Sequence, residues 1–543
     1  MGKSKFGLLG LMMCVAVGAT TAQTNRYVAF FADKAGTPYT VDAPEEYLSA
    51  RALARRTAAG VSITEEDLPV SPAYVTGLEE AGAVVYYTSR WLNCAMFEGT
   101  DSLSQVVAGL DMVDSVMYVA RGPLPQGEAR EFDPKAIGSI GQRVARNSTQ
   151  NQLLGVDAMH GRGYRGEDML IAVFDGGFEG VDLGEPFAHL HTDGRVKLTY
   201  DFVGNTVDPY VYDDHGTRVL STMAGFLADS TYLGVAYRAD YMLFVTEDVP
   251  VEFRLEEFNW LFAAEKADSA GADVIHSSLG YSYGFSDAGM DYDRAQMDGQ
   301  TTIIAQAARA AADRGVLVVT SAGNEGRGSW RILTSPADVE TVLAVGAVYD
   351  NGTYATFSSV GANNQAPIKP DVSAMGVSTV LVNDLGNVTT GNGTSYAAPQ
   401  VAALSAAIWQ AFPELTAQEV IEAVRRSGSQ YTAPDSLLGY GIPNFIRAER
   451  YLVTGLQNEE IPLLKAYPNP NEGTLLTVDL PETFVENEVQ VLLYSASGQL
   501  LASQMVLRQG GQVMLDTSQW ASGTQLLRLQ SGTAVGWARI LKP

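Results

Sequence analysis

The sequence predicts an α/β fold for the middle of the chain, with a parallel sheet flanked by helices, between an α+β segment and an all-β segment. Between residues 150 and 452, short apolar runs alternate with helical patterns. Such alternation is typical of parallel strands with helices on both faces. The residues before 122 mix both patterns, and the residues after 466 form a series of short alternating segments. Those changes of pattern divide the chain into three folded parts.

The central part contains five predicted strands and two long predicted helices. The strands are at residues 169–174, 241–246, 272–277, 315–320 and 342–348, and the helices are at 254–270 and 301–314. Asp175 follows the first of these strands, and Asn324 closely follows the strand at 315–320. Because sites in parallel sheets form at the carboxyl ends of strands, both residues are candidates for a functional site.

Residues 23–122 form the first folded part, and residues 123–149 are a predicted linker. The first part has predicted strands at 27–31, 83–87, 93–97 and 115–120 and helices at 46–56, 72–81 and 103–110. It contains no histidine, the commonest general base, so we expect no catalytic centre there. The linker is rich in proline, glycine and charge, which favours an exposed segment open to proteolysis.

The last part follows a polar break at residues 453–465, which we interpret as a second linker. Residues 466–543 contain predicted strands at 474–480, 489–495, 499–506, 512–516, 526–530 and 534–541. Short alternating strands separated by turn residues predict a small antiparallel β-sandwich.

The composition excludes some classes of protein. The chain carries 36 basic and 62 acidic residues, for a net charge of −26. That charge repels polyanions, so we expect no nucleic-acid partner. The excess of acidic residues serves to keep the protein soluble or, alternatively, to bind cations. Calcium is possible, although no twelve-residue calcium loop of the usual pattern is present and no cofactor is required by the chemistry expected below.

The amino terminus has the pattern of a secretory signal peptide, residues 1–22. Lys3 and Lys5 precede an apolar run at 8–17, and small residues end at Ala22. The run is too short to span a membrane and no later run is long enough for a transmembrane helix, so we expect no membrane span in the mature form. The only cysteines are Cys14 and Cys94, which excludes a disulfide framework in the mature chain.

A glycine-rich turn that leads into a small-residue helix singles out Ser395. The stretch Gly391-Asn-Gly-Thr-Ser-Tyr-Ala-Ala-Pro-Gln400 begins a predicted buried helix, with Thr394 and Ser395 at the expected N-cap. Unpaired N–H groups at a helix start favour negative charge, as an attacking serine requires when its target oxygen becomes an oxyanion. The alternative is a capped structural helix.

Three further residues have settings that favour chemistry. His215 begins a predicted helix after Asp213 and Asp214, Asp175 ends a buried strand, and Asn324 lies in a turn. A buried carboxylate is costly unless it is paired, and holding an imidazole would satisfy Asp175. Asn324 offers an amide donor to an oxyanion. Taken singly, each has an ordinary alternative: a surface histidine paired with a neighbouring aspartate, an aspartate bonded to its own turn, and a turn asparagine.

Together, four motifs in chain order resemble the subtilase family of serine proteases. The motifs are Val173-Phe-Asp175-Gly-Gly, Asp214-His215-Gly-Thr, Ser321-Ala-Gly-Asn324-Glu-Gly and Gly393-Thr-Ser395-Tyr-Ala-Ala-Pro399. The resemblance implies a subtilisin-like peptidase domain at residues 150–452. It also implies that Ser395 is the nucleophile, His215 the general base and then acid, Asp175 the residue that orients His215, and Asn324 part of the oxyanion hole.

The resemblance extends to substrate binding. Ser278, Leu279 and Gly280 look like the strand that pairs with an extended protein or peptide substrate, and Ser321, Ala322 and Gly323 look like one wall of the pocket for the residue before the cut. The alternative is that both are ordinary strand ends. Two departures from the family are Asp214, which is expected to raise the His215 pKa, and an aromatic-rich loop at residues 280–289 that shapes specificity or is merely solvated.

The flanking parts carry resemblances of their own. Residues 23–122 are similar in position, size and pattern to subtilase propeptides, which implies an inhibitor removed by cleavage within residues 123–149. The Tyr467-Pro-Asn-Pro-Asn471 motif and the terminal Arg539-Ile-Leu-Lys-Pro543 resemble the type IX secretion sorting domains of Bacteroidetes. The expectation is a secreted or surface-attached serine endopeptidase made as a preproenzyme, whose partners are its propeptide and the secretion machinery. Alternatives are a binding protein that kept the fold, a serine esterase, and, for the tail, a carbohydrate-binding or packing domain.

Overall fold

The computed structural model describes residues 23–123, 147–227, 232–361, 368–454, 464–481, 484–495, 500–532 and 534–543. The predicted signal peptide, most of the linker at 123–149 and most of the linker at 453–465 lie outside these residues. The chain divides into two compact units, Met1–Val453 and Thr454–Pro543. No helix in the described parts of the chain has the length and apolar character needed to cross a membrane.

The amino-terminal part of the first unit is a four-stranded antiparallel sheet with three helices. In chain order the elements are β1 (Asn25–Phe31), α1 (Ala50–Ala58), α2 (Pro72–Glu80), β2 (Val84–Ser89), β3 (Cys94–Gly99), α3 (Asp101–Ala108) and β4 (Val113–Arg121). The strand order is β2-β3-β1-β4. The predicted α+β pattern is therefore confirmed, although α1 begins later than predicted because the Ser49 side chain caps it. Cys94 is completely buried in this sheet.

The remainder of the first unit is built on a seven-stranded parallel sheet. Its elements are α4 (Ser148–Leu154), α5 (Val156–Gly161), β5 (Leu170–Asp175), α6 (Ala188–Thr192), β6 (Val196–Asp201), α7 (His215–Ala224), β7 (Asp240–Val245), α8 (Leu255–Ala270), β8 (Val274–Ser277), α9 (Ile303–Asp313), β9 (Leu317–Ser321), β10 (Leu343–Val348), β11 (Val372–Met375), β12 (Thr379–Val382), β13 (Val388–Gly391), α10 (Thr394–Ala411), α11 (Ala417–Arg426) and α12 (Phe445–Thr454). The strand order is β11-β10-β9-β8-β5-β7-β6. The predicted parallel sheet flanked by helices is confirmed.

Helices cover both faces of this sheet, as its buried strands require. On one face α7 and α10 pack on a core that includes Val173, Val319 and Val345. On the other face α8 and α9 pack on a core that also takes in Val28 and Met96 of the amino-terminal sheet. The two sheets are therefore joined through a shared apolar core.

From residue 464 onward, the described elements of the second unit are strands, which form two antiparallel sheets. They are β14 (Ala466–Tyr467), β15 (Leu475–Asp479), β16 (Glu488–Ser495), β17 (Leu500–Leu507), β18 (Gln512–Asp516), β19 (Gly523–Ser531) and β20 (Ala534–Lys542), in the orders β14-β15-β18 and β17-β16-β19-β20. Leu476, Val491, Val513, Leu527 and Ile540, drawn from both sheets, lie in one core. The predicted all-β architecture of this part is confirmed.

Candidate active site

Asp175, the last residue of β5, and His215, the first residue of α7, lie in direct contact. The Asp175 carboxylate is 1% exposed, and its Oδ1 lies 2.7 Å from Nδ1 of His215. The same oxygen accepts the backbone N–H of Gly176 at 2.8 Å. The turn and the imidazole thus share one buried carboxylate. The imidazole pairs with Asp175 and not, as in the alternative interpretation, with a neighbouring aspartate.

A glycine makes the contact between Asp175 and His215 geometrically feasible. A Cβ added at Gly216 would lie 2.3 Å from the carbonyl oxygen of Gly177 and 2.9 Å from Cβ of Asp175. Any larger residue at 216 would push α7 away from the end of β5. The glycine after the histidine is therefore needed for packing.

Three carboxylates surround His215. The side chain of Asp213 accepts the backbone N–H of His215 at 2.7 Å, and Asp214 pairs with Nη2 of Arg218 at 2.7 Å. Burial of the imidazole disfavours its charged form, but Asp175, Asp213 and Asp214 outweigh burial, and the pKa of His215 is raised above its ordinary value. The sequence expectation for Asp214 thus has the correct sign.

Ser395 is the second residue of α10 and is 8% exposed. The expectation that Thr394 and Ser395 form the N-cap is wrong, because Gly393 is the cap and makes no side-chain bond. The Ser395 hydroxyl is therefore not used to cap the helix; its Oγ lies 3.5 Å from the carbonyl oxygen of Ser278. The ring of Tyr396, the next residue, lies 5.8 Å from the His215 ring, so the start of α10 lies beside the histidine.

Asn324 is anchored to the residue before Ser395. Its Oδ1 accepts the backbone N–H of Thr394 at 3.0 Å and the Thr394 hydroxyl at 3.1 Å. Since the amide oxygen faces Thr394, the amide nitrogen is the outward end of this exposed side chain. An N–H donor is thus held next to the start of α10.

The two predicted substrate-binding segments follow neighbouring strands. Ser278, Leu279 and Gly280 continue directly from β8, and Ser321, Ala322 and Gly323 begin at the last residue of β9. Thr334, which the sequence did not single out, lies against both segments. A Cβ at Gly280 would lie 2.1 Å from Thr334 Oγ1, and one at Gly323 would lie 3.0 Å from the same atom. No sequence signal pointed to Thr334, since it lies on an irregular segment remote from every motif.

The aromatic-rich loop at residues 280–289 packs against the turn that holds Asn324. The Tyr283 hydroxyl donates to Oε2 of Glu325 at 2.8 Å, and the Tyr283 ring lies 5.1 Å from that of Trp330. The Tyr281 backbone also exchanges hydrogen bonds with that of Ser335, of 2.9 and 3.1 Å. The loop is thus bonded to the protein beside Gly280 and is not a solvated excursion.

One group of carboxylates tests the calcium expectation. Among the described residues, Glu247, Glu252 and Glu256 bring carboxylate oxygens within 4.8 Å of one another. Both Glu256 oxygens already accept backbone N–H groups, those of Asp248 at 3.0 Å and Phe253 at 2.8 Å. Burial raises the pKa of all three carboxyl groups, which favours their neutral forms. The group offers three carboxyls, of which Glu256 is already engaged, and this is fewer than the six to eight oxygen ligands that calcium takes.

The candidate site thus has an aspartate-paired imidazole, a serine near a helix start and an amide anchored to the residue before that serine. The subtilase family model, Peptidase_S8, matches residues 166–441. The chain is 31% identical to subtilisin NAT of Bacillus subtilis subsp. natto over 321 residues, 58% of this chain and 75% of that protein. It is 31% identical to subtilisin DY of Bacillus licheniformis over 269 residues, 49% of this chain and 86% of that protein. The chain belongs to the subtilase family and is a serine endopeptidase.

The flanking parts match models of their own. The Bacteroidota propeptide domain of peptidase family S8 matches residues 26–132, and the secretion system C-terminal sorting domain matches residues 465–542. The protein is therefore made with a propeptide and is secreted or placed on the cell surface by type IX secretion. Among solved structures, MycP1 from the ESX-1 type VII secretion system is similar, at a TM-score of 0.46 and 20% identity over 60% of this chain and 93% of that one.

Proposed function

We propose that this endopeptidase hydrolyses peptide bonds through Asp175, His215 and Ser395 and a covalent acyl-enzyme intermediate. The observation that carries the proposal is the 2.7 Å contact between Nδ1 of His215 and the buried Asp175 carboxylate. That contact leaves Nε2 of His215 as the nitrogen available to a serine hydroxyl. Ser395 supplies the hydroxyl, next to the Tyr396 ring that packs on the imidazole.

The reaction proceeds in two halves. Oγ of Ser395 attacks the scissile carbonyl carbon while Nε2 of His215 accepts the hydroxyl proton, and the imidazolium is stabilised by Asp175. Collapse of the tetrahedral intermediate breaks the C–N bond, and His215 returns the proton to the leaving amine. A water molecule then attacks the ester, with His215 as base again, and releases the acid and free Ser395.

The oxyanion of each tetrahedral intermediate is stabilised by N–H donors. The Asn324 amide is one donor, since its oxygen is tied to Thr394 and its nitrogen faces outward. The backbone N–H of Ser395 is a second, because the first N–H groups of a helix have no partner within the helix. Apart from the hydrolytic water, each proposed step is assigned to a group of the protein.

Substrate binding is proposed to use the segments that follow β8 and β9. Ser278, Leu279 and Gly280 pair with an extended peptide, and Ser321, Ala322 and Gly323 form one wall of the pocket for the residue before the cut. A contact of the amino-terminal sheet near these segments supports their role in substrate binding. Nη2 of Arg121, at the end of β4, donates to the Ser286 carbonyl at 3.2 Å. The chain thus leaves the amino-terminal sheet beside the loop that follows Gly280.

Maturation is proposed to remove residues 1–22 as signal peptide and residues 23–122 as inhibitor, by cleavage within residues 123–149. Residues 150–452 then form the peptidase domain, 453–465 a linker and 466–543 the sorting domain. The secreted protein is treated with a fluorophosphonate probe and mapped by peptide mass spectrometry, with Ser395→Ala as control. We expect label on Ser395, a new terminus within 123–149, and neither label nor hydrolysis in the variant. Hydrolysis by a folded Ser395→Ala protein would refute the proposal.

A further inference from the structure

His276 is a completely buried histidine on β8 that the proposed reaction does not use. Its Nε2 lies 3.0 Å from the hydroxyl oxygen of Ser278. Burial lowers the pKa of His276 to about 4, so the imidazole is neutral at the pH of a secreted enzyme. The Val319 backbone also interacts with this imidazole, but the short contact of Nε2 is with Ser278. That contact requires an explanation, because burying an imidazole N–H without an acceptor would be costly.

Ser278 connects this histidine to the helix that carries Ser395. The Ser278 hydroxyl donates to the carbonyl oxygen of Ser395 at 2.9 Å. The Ser395 hydroxyl in turn lies 3.5 Å from the Ser278 carbonyl oxygen. The end of β8 and the start of α10 are thus bonded in both directions, at the residue proposed to be the nucleophile.

The Ser395 carbonyl needs such a donor because α10 contains Pro399. In a regular helix, the backbone N–H of residue 399 would donate to the carbonyl of residue 395, four residues earlier. Proline has no N–H, so this bond is missing from the first turns of α10. The Ser278 hydroxyl occupies the place of the missing donor.

The directions of the hydrogen bonds follow from this arrangement. A serine hydroxyl has a single proton, and here it is directed to the Ser395 carbonyl. The oxygen of that hydroxyl therefore acts as acceptor toward His276, and Nε2 of the imidazole carries the proton. The neutral imidazole thereby fixes the rotation of the Ser278 hydroxyl.

We propose that His276 is a positioning residue: through the Ser278 hydroxyl it supplies the hydrogen bond that Pro399 denies to the Ser395 carbonyl, and so it holds the nucleophile in place. This inference rests on the proposed function of Ser395. We call the hydrogen bonds from His276 through the Ser278 hydroxyl to the Ser395 carbonyl the relay. Substitution of His276 should change kcat more than KM, because the buried imidazole acts on the reacting serine, whereas the substrate is proposed to pair with the main chain of residues 278–280.

The first test compares two substitutions of His276 in the mature secreted enzyme, with kcat calculated per fluorophosphonate-titrated site. His276→Leu removes the donor and should lower kcat about tenfold, with KM changed less than about twofold. His276→Gln places an amide N–H near the position of Nε2 and should restore most of kcat. Wild-type kcat in the leucine variant, or equal losses in both variants, would overturn the proposal.

A second test uses Pro399→Ala, which returns the missing backbone N–H. In this background the Ser395 carbonyl regains its helical donor, so His276→Leu should cost much less than it does beside Pro399. Ser278→Ala removes the hydroxyl but leaves the imidazole, and its loss of kcat should likewise be smaller in the Pro399→Ala background. This variant replaces His276→Leu in the test if the leucine variant is not secreted. If these substitutions lower kcat equally with proline and with alanine at position 399, the relay does not replace the missing helical hydrogen bond to the Ser395 carbonyl.

The outcomes separate this inference from the proposed function. Hydrolysis by folded Ser395→Ala would refute the role of Ser395 itself. An inactive Ser395→Ala beside fully active His276→Leu and Ser278→Ala would leave the proposed function intact and refute only the relay.

Discussion

Arg56 of the propeptide domain and Asp268 of the peptidase domain form a completely buried ion pair, with Nη2 2.7 Å from Oδ2. Asp268 also pairs with Arg90 at 2.6 Å and with Arg55. Three propeptide guanidinium groups thus converge on one aspartate of α8. Because a buried charge is costly without its partner, this aspartate matters most while the propeptide is bound.

We expect Asp268→Ala to destabilise the precursor by about 3–5 kcal/mol, because it removes the buried carboxylate that pairs with Arg55 and Arg90 and leaves Arg56 with Asp67 alone. The measurement is denaturant unfolding of the full-length protein in a Ser395→Ala background, in which the propeptide stays attached. Glu422→Ala is the matched control: it breaks the partly exposed pair with Arg426 and should cost about 0–1 kcal/mol. Equal losses in the two variants would contradict the expectation.

The pKa that governs the acid limb of the pH–activity profile should lie above the ordinary value for histidine. His215 must be neutral to act as base, and its pKa is raised by Asp175, Asp213 and Asp214 against the effect of burial. Activity is therefore full above the raised pKa and falls as the pH drops through it. In Asp214→Asn one of the three carboxylates is lost, so the acid limb of kcat/KM should move to lower pH.

Arg218→Gln is the matched control for Asp214→Asn, because it should shift the acid limb in the opposite direction. Removing the guanidinium partner leaves the Asp214 charge uncompensated, so the same limb should move to higher pH. Shifts in the same direction for both variants would contradict the electrostatic account.

Asn324→Leu should lower kcat with little change in KM, because an oxyanion donor acts mainly in the transition state. The expected loss is about 10²- to 10³-fold, the magnitude established for a donor of this kind in subtilisin, a member of the same family. Thr394→Val removes the hydroxyl bond to Asn324 but keeps the backbone bond, so its loss should be much smaller. Steady-state kinetics on a peptide substrate measures both.

Thr334 should limit the size of the residue before the cut. Its hydroxyl lies between Gly280 of the proposed substrate-pairing segment and Gly323 of the proposed pocket wall. Thr334→Gly should raise the ratio of kcat/KM for phenylalanine over alanine at that position by about tenfold or more, since each buried methylene of substrate is worth about 1–3 kcal/mol. Tyr283→Phe, which loses only the bond to Glu325, should leave the ratio nearly unchanged. An unaltered ratio in Thr334→Gly would place the pocket elsewhere.

The sequence predicted the central sheet well because β5, β7, β8, β9 and β10 are short apolar runs buried on both faces. It missed β6 (Val196–Asp201), where apolar and polar residues alternate at the edge of the sheet. The short strand β11 (Val372–Met375) was missed as well, since four residues with a serine among them give too weak a pattern.

The candidate site was predictable where a motif and a strand end coincide, as at Asp175, and where His215 begins a helix. The relay from His276 through Ser278 to the Ser395 carbonyl was not predictable, because no feature of the local sequence links His276 and Ser278 to Pro399. The three arginines that meet Asp268 lie at least 178 residues from it in sequence, so only the folded chain brings them together. The N-cap error at Ser395 has a local cause: Gly393 takes a backbone conformation, φ +154°, that the hydroxyl residues after it do not reveal.

The completely buried Cys94 of the propeptide sheet has a practical consequence for following the life of this enzyme. The only other cysteine, Cys14, lies in the predicted signal peptide, and residues 123–543 contain none. If both segments are cut away as proposed, the working protease has no thiol to oxidise and does not react with thiol-specific reagents. A maleimide dye applied after denaturation then stains the propeptide alone, so one fluorescent band reports whether that segment is still attached, newly released or already degraded.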